Sequence, residues 1–250
     1  MNRRESNCPL GFKFCPLSLL VFMASSAYIT FQKRQALRTD NDDDQDGDTI
    51  VLPSCHVVFV LGGPGAGKGT QCELLTQRLP GKWQHLSTGD LLRAERKKGG
   101  PLGDELNSYI SNGQLVPSKV TCRLLELGMK RTYKQNKSTN FLIDGFPRSF
   151  ENATVWEQTM SKHVIDFVLH LTCPEEVLTG RLLHRGQTSN RVDDSDLEII
   201  QKRFATHQRE CAPIIEHYEQ QQKSGGTKIY TILSDKPVED VYKEIEVLFH

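Results

Sequence analysis

Short apolar runs alternating with helical stretches place this chain in the α/β class, as a mainly parallel sheet with helices on both faces. Three observations carry that expectation. Apolar runs recur at residues 56–61, 141–143, 164–171 and 227–233, each with a helix-like stretch after it. A glycine-rich turn, GGPGAGKGT, joins the first run to its helix. An acid and an arginine, Asp144 and Arg148, stand just past the second run, where open α/β sheets bind ligands.

Composition bounds the rest. The chain has 250 residues, and about 200 of them follow a front segment unlike the remainder, enough for one domain with a sizeable core. Formal net charge is zero, which excludes a global basic field for nucleic acid. Seven cysteines are scattered with no CxxC pair, so neither a disulfide framework nor a zinc site is indicated, and reduced thiols fit best.

Residues 1–53 form the front segment. An uncharged run at residues 15–31 lies between Arg3, Arg4 and Lys13 on one side and Lys33, Arg34 and Arg38 on the other. It sits at the lower edge of the length that spans a membrane. The acidic tract NDDDQDGD follows and has the composition of a disordered linker. A signal or anchor, an organelle-targeting segment and an extension with no targeting role all remain open, and a misassigned start would look similar. Any membrane contact falls on residues 15–31.

The folded region opens at 56–61 with a strand apolar enough to be buried on both sides. Gly65, Ala66, Gly67, Lys68, Gly69 and Thr70 lie in the turn after it. Glycine lets backbone N–H groups approach an anion, the following helix (predicted at 71–79) adds unpaired N–H groups, and Lys68 adds a full charge; together they suit a polyphosphate. The usual phosphate loop has Ser or Thr directly after the lysine, whereas here Gly69 intervenes before Thr70.

Next, HLSTGDLLRAER predicts a helix capped by Ser87 or Thr88, with Arg93 one turn in, where it can point into a cleft or simply be solvated. A helix at 101–112 ends at Gly113, Gln114, Leu115 and Val116 form a connector, and Pro117 opens a helix to about residue 133. The strand at 141–143 runs into Asp144-Gly145-Phe146-Pro147-Arg148. After the strand at 164–171, a helix at 174–185 carries Arg181. The stretch 185–196 is polar and almost free of hydrophobes, which predicts a mobile loop bracketed by Arg181, Arg185, Arg191 and Arg203, with Asp193, Asp194 and Asp196 as their other partners. A long helix at 197–222 interrupted near Pro213, a strand at 227–233 and a helix at 238–249 close the chain.

Four stretches in this order, GGPGAGKGTQ, HLSTGDLLR, FLIDGFPR and RGQTSNRVDD, resemble the adenylate kinase and UMP-CMP kinase family from about residue 57 to 249. The resemblance implies a P-loop NTPase-like five-stranded parallel sheet, an NMP-binding segment at 87–116 and a short lid at 186–196. It implies transfer of the ATP γ-phosphoryl group to a nucleoside monophosphate with Mg2+, by a monomer, in the cytoplasm or nucleus unless the extension directs it elsewhere. Carried over by position, residues 65–70, Arg181, Arg185 and the backbone near Lys236 would hold ATP. Arg93, residues 114–116, residues 145–148, Asn152, Arg191 and Arg203 would hold the acceptor. Lys68, Arg148, Arg191 and Arg203 would act in transfer, and Asp144 would orient water on the metal, with no direct protein ligand expected.

Asn152 and Trp156, in GFPRSFENATVW, resemble the UMP-CMP branch, and an asparagine amide could serve both uracil and cytosine. UMP and CMP, with dCMP in the same class, are thus the expected acceptors. Thr88 matches adenylate kinases instead, which keeps AMP open. A membrane-tethered nucleotide-binding protein without turnover is the third reading.

Overall fold

The structure, a computed structural model, describes residues 50–188, 194 and 196–249. Most of the front segment, Arg191 and the centre of the expected lid lie outside the described residues.

Strand β1 (His56–Gly62) is followed by α1 (Lys68–Arg78), β2 (Gln84–Ser87), α2 (Thr88–Lys98), α3 (Gly100–Ser111) and α4 (Ser118–Asn136). Then come β3 (Asn140–Asp144), α5 (Phe150–Met160), β4 (Val164–Thr172) and α6 (Glu175–Thr188). Helix α7 (Leu197–Thr206) passes through a π turn (His207–Cys211) into α8 (Ala212–Lys223), and β5 (Ile229–Leu233), α9 (Val238–Glu246) and a 3₁₀ turn (Val247–Phe249) complete the fold. The sheet has five strands in the order β2-β3-β1-β4-β5, every pair parallel.

Alternation along β1 explains its central place. Val57, Phe59 and Leu61 face one core with α4, α5 and α8, while Val58 and Val60 face the other with α1, α6 and α9. A strand buried on both sides needs apolar residues throughout, which is what made it visible in the sequence. On the first face Phe59 meets Trp156 edge-on, centroids 5.1 Å apart, and Phe146 at 5.7 Å. A smaller cluster of Leu92, Leu106 and Val116 holds α2 and α3 against the connector before α4.

Four expectations change. Strand β2, QHLS, has no apolar run to predict it. It is a four-residue edge strand in which Leu86 alone is buried, and its last residue, Ser87, also caps α2 by accepting from Asp90 N. Helix α1 starts at Lys68, three residues early, so part of the phosphate loop is its first turn. Helix α6 continues through Gly186 to Thr188, which takes residues 186–188 out of the expected loop. The break before α8 is a π turn, with Pro213 inside the first turn of α8, where its missing N–H costs nothing.

Candidate active site

Where β1 and β3 end, the chain direction across the sheet reverses, and a crevice opens at their carboxyl ends as expected for such a sheet. Gly67 precedes α1 in the left-handed region (φ 84°), and no side chain caps the helix. By contrast Ser87 and Ser149 cap α2 and α5. The start of α1 therefore presents backbone N–H groups and the positive end of its dipole to the crevice.

Lys68 Nζ donates to the carbonyls of Gly62 (2.8 Å) and Gly63 (2.9 Å). Burial lowers its pKa to about 8, helped by Arg148 and Arg203 and opposed by Asp144, so the ammonium is still mostly protonated at neutrality. Asp144 terminates β3. Burial alone would raise its pKa, but its polar contact with His85 and the charges of Lys68 and Arg148 outweigh that and hold it below the usual carboxylate range. His85 Nε2 lies 3.5 Å from Asp144 Oδ2, at the far limit of a hydrogen bond.

Arg148 is aimed by its own loop. Its Nε donates to Gly145 O at 2.7 Å, and its backbone N–H donates to Asn152 Oδ1 at 3.0 Å. The Phe146–Pro147 peptide bond between them is cis. Arg93 Nη2 reaches Asp90 Oδ1 at 2.5 Å on the same face of α2. Fully buried Asp194 receives Arg185 Nε at 2.6 Å and Arg203 Nη1 at 2.5 Å, tying α6 to α7.

Two cavities share this centre. One is lined by residues 65–70 of the phosphate loop, Asp144, Arg181, Arg185 and Lys236. The other is lined by Gln114, Leu115, Val116, Gly145 and Pro147, with Leu92 and Ile110 adding apolar surface. Lys68, Arg93, Arg148 and Arg203 line both. Four cations thus stand between two compartments, an arrangement suited to passing a phosphoryl group from one to the other.

Among the expected site residues, two are elsewhere and one is undescribed. Phe146 is fully buried against Phe59 and Trp156 and lines neither cavity. Asn152 is 4% exposed and also lines neither. Its amide accepts from Arg148 N and donates to Ser118 Oγ at 2.7 Å, so it braces the Arg148 loop against α4. One N–H and one lone pair of that amide are left for other partners. Arg191 lies outside the described residues. Lys236 borders the phosphate cavity, but its ammonium is turned to Glu244 at 2.6 Å.

Sequence reasoning missed Thr206, His207, Cys211 and Ile215, which line the second cavity from the π turn and its flanks. His207, Cys211 and Ile215 recur every four residues, the spacing of any packed helix face, so nothing in the pattern marked them as site residues. No three His, Cys, Asp or Glu side chains cluster as a metal site among the described residues. The Asp144 carboxylate, in the same cavity as the Thr70 hydroxyl and the phosphate loop, fits a Mg2+ ion that draws its ligands from phosphate and water, with Asp144 orienting that water.

A family model described as Adenylate kinase matches residues 60–223. The chain belongs to the adenylate kinase family, and it is a nucleoside monophosphate kinase. Among its relatives is the uridylate kinase of Saccharomyces cerevisiae, 44% identical over 191 residues, 76% of this chain and 88% of the relative. UMP-CMP kinase 2 of Caenorhabditis elegans is 43% identical over 196 residues, 78% of this chain and 96% of that one. Adenylate kinase 1 of Schistosoma mansoni is 42% identical over 194 residues, 78% and 92% of the two chains.

Proposed function

We propose that this kinase moves the γ-phosphoryl group of ATP to UMP and CMP, giving ADP and the pyrimidine nucleoside diphosphate. The observation that carries it is the shared wall of Lys68, Arg93, Arg148 and Arg203 between a phosphate-loop cavity and a second, partly apolar cavity. The choice of pyrimidine follows relatives named uridylate kinase and UMP-CMP kinase.

In this reading residues 65–70 wrap the donor phosphates, with Arg181 and Arg185 beyond them and the backbone at Lys236 against adenine. Lys68 leaves the Gly62 and Gly63 carbonyls for the phosphate bridging donor and acceptor. Arg93 and Arg148 hold the acceptor phosphate, and Arg191 and Arg203 close over the transferring group. Mg2+ bound with ATP neutralises phosphate charge, and Asp144 with Thr70 would hold its water. The acceptor phosphate is already an anion, so no general base is needed, and positioning with charge neutralisation supplies the catalysis. Asn152 acts on the base through its remaining N–H and lone pair, and on the acceptor phosphate through the Arg148 loop that it braces.

A monomer is the state that the family resemblance implies. Residues 54–250 carry the reaction without help from the front segment. No helix among the described residues is long and apolar enough to cross a membrane. Free cysteines at 55, 72, 122, 173 and 211 suit a reducing compartment such as the cytoplasm.

AMP is the second reading. The hydroxyl of Thr88, 2% exposed beside cavity-lining Gly89, has no partner among the described residues and could serve a purine. Binding of pentaphosphates that bridge adenosine to uridine or adenosine to adenosine tests both points by titration calorimetry. One molecule per chain, competing with ATP and with UMP and favouring the uridine form, is expected. Competition with ATP alone would defeat the two-compartment reading, and preference for the adenosine form would shift the acceptor to AMP.

A further inference from the structure

We propose that His207 donates a hydrogen bond directly to the acceptor phosphate, a contact additional to those of the arginines. This rests on the phosphoryl-transfer reading above. His207 begins the π turn and lines the acceptor cavity beside Lys68, Arg148 and Arg203. Its Nε2 is buried and has no hydrogen-bond partner among the described residues. Leaving a buried polar atom unpaired is costly, and such atoms in folded proteins call for an explanation.

The neighbours say what the missing partner is. Lys68 of α1 and Arg148 of the loop after β3 carry donors only, and they already give hydrogen bonds to Gly62, Gly63 and Gly145. Arg203 of α7 is held by Asp194. His170 of β4, the remaining titratable neighbour with an influence on His207, meets Thr231 Oγ1 through its Nδ1. In the tautomer with its proton on Nε2, the ring N–H has only donors among these cations and needs an acceptor that they also attract. A phosphoryl oxygen meets both demands. Burial first, then Lys68, His170 and Arg148, lower the His207 pKa to about 4, so the ring supplies a donor at neutrality without a further positive charge. His207 and Cys211, the first and last residues of the π turn, both line this cavity.

The test uses the full chain with His207→Phe, which keeps the ring shape, and His207→Gln, whose amide N–H can replace Nε2–H. At saturating Mg-ATP, His207→Phe is expected to raise the acceptor KM about tenfold, the scale of one hydrogen bond to a charged group, with the KM for ATP unchanged. His207→Gln should recover most of the loss. In protein labelled with ¹⁵N-histidine, the His207 Nε2 resonance should shift on adding UMP but not uridine. If His207→Phe fails to fold, His207→Gln and the resonance decide. An unchanged acceptor KM, equal behaviour of Phe and Gln, or a resonance indifferent to UMP overturns the proposal. If AMP proves the acceptor, the same effects must appear with AMP against adenosine; in the absence of any turnover the resonance still decides the contact, while the transfer reading is what fails.

Discussion

Gly145→Ala separates the placing of Arg148 from the stability of the fold. Gly145 has φ 76°, a left-handed conformation that costs an L-residue about 1–2 kcal/mol. An added Cβ would stand 2.8 Å from Arg148 Nη2, inside contact distance. The guanidinium is the flexible end of a side chain and can retreat, so the steric cost to folding is small. The retreat, however, breaks the 2.7 Å bond from Nε to Gly145 O that aims it. A shift on the order of 1 Å in a positioning group can cost about a hundredfold in rate. Expected, then, are a stability loss of about 1–2 kcal/mol in urea denaturation and a kcat/KM for UMP lowered about a hundredfold, with Arg148 itself intact. A variant that folds and retains kcat/KM within about threefold of the parent would refute the claim that Gly145 places Arg148.

Three further outcomes follow from the same geometry. Lys68→Met should remove at least about 10³ of kcat/KM through loss of transition-state charge stabilisation, yet leave Tm equal or higher because a buried ammonium is gone; a clear fall in Tm would contradict this. Asp194→Asn should cost about 1.5–3 kcal/mol of stability, toward the lower figure because Arg185 is 35% exposed, and should raise the KM for ATP, as denaturation and initial rates would show. Burial lowers His163, His170 and His207 from 6.5 to about 4, so between those values the unfolded chain binds more protons than the folded one. Stability should therefore be full above pH 6.5 and fall as pH drops toward 4, and His163→Asn, which keeps an acceptor for Cys55 N–H, should flatten part of that slope in pH-dependent denaturation.

The sequence showed what depends on local chemistry. Buried β1 and β3 needed apolar runs, the phosphate loop needed glycine and lysine in order, and Asp144 and Arg148 followed a strand end. It concealed what depends on packing. Strand β2 is too short and polar for a pattern, since β3 supplies its hydrogen bonds on one side only. Asn152 was legible as a site candidate, but its bond to Ser118 of α4, distant in sequence, was not. Phe146 lies between two site residues and yet fills the core. The Asp194 clamp joins two arginines that the sequence placed near a loop without showing which acid held them.

The most direct measurement is kcat/KM of the full chain with Mg-ATP and UMP, CMP or AMP in parallel. Turnover is expected with the phosphates placed by Lys68, Arg93, Arg148 and Arg203, and with at least about a tenfold preference for UMP and CMP, worth roughly 1.4 kcal/mol in the transition state. An equal preference for AMP would contradict the pyrimidine assignment and make Thr88 the residue to follow; no transfer to any of the three would contradict the account as a whole.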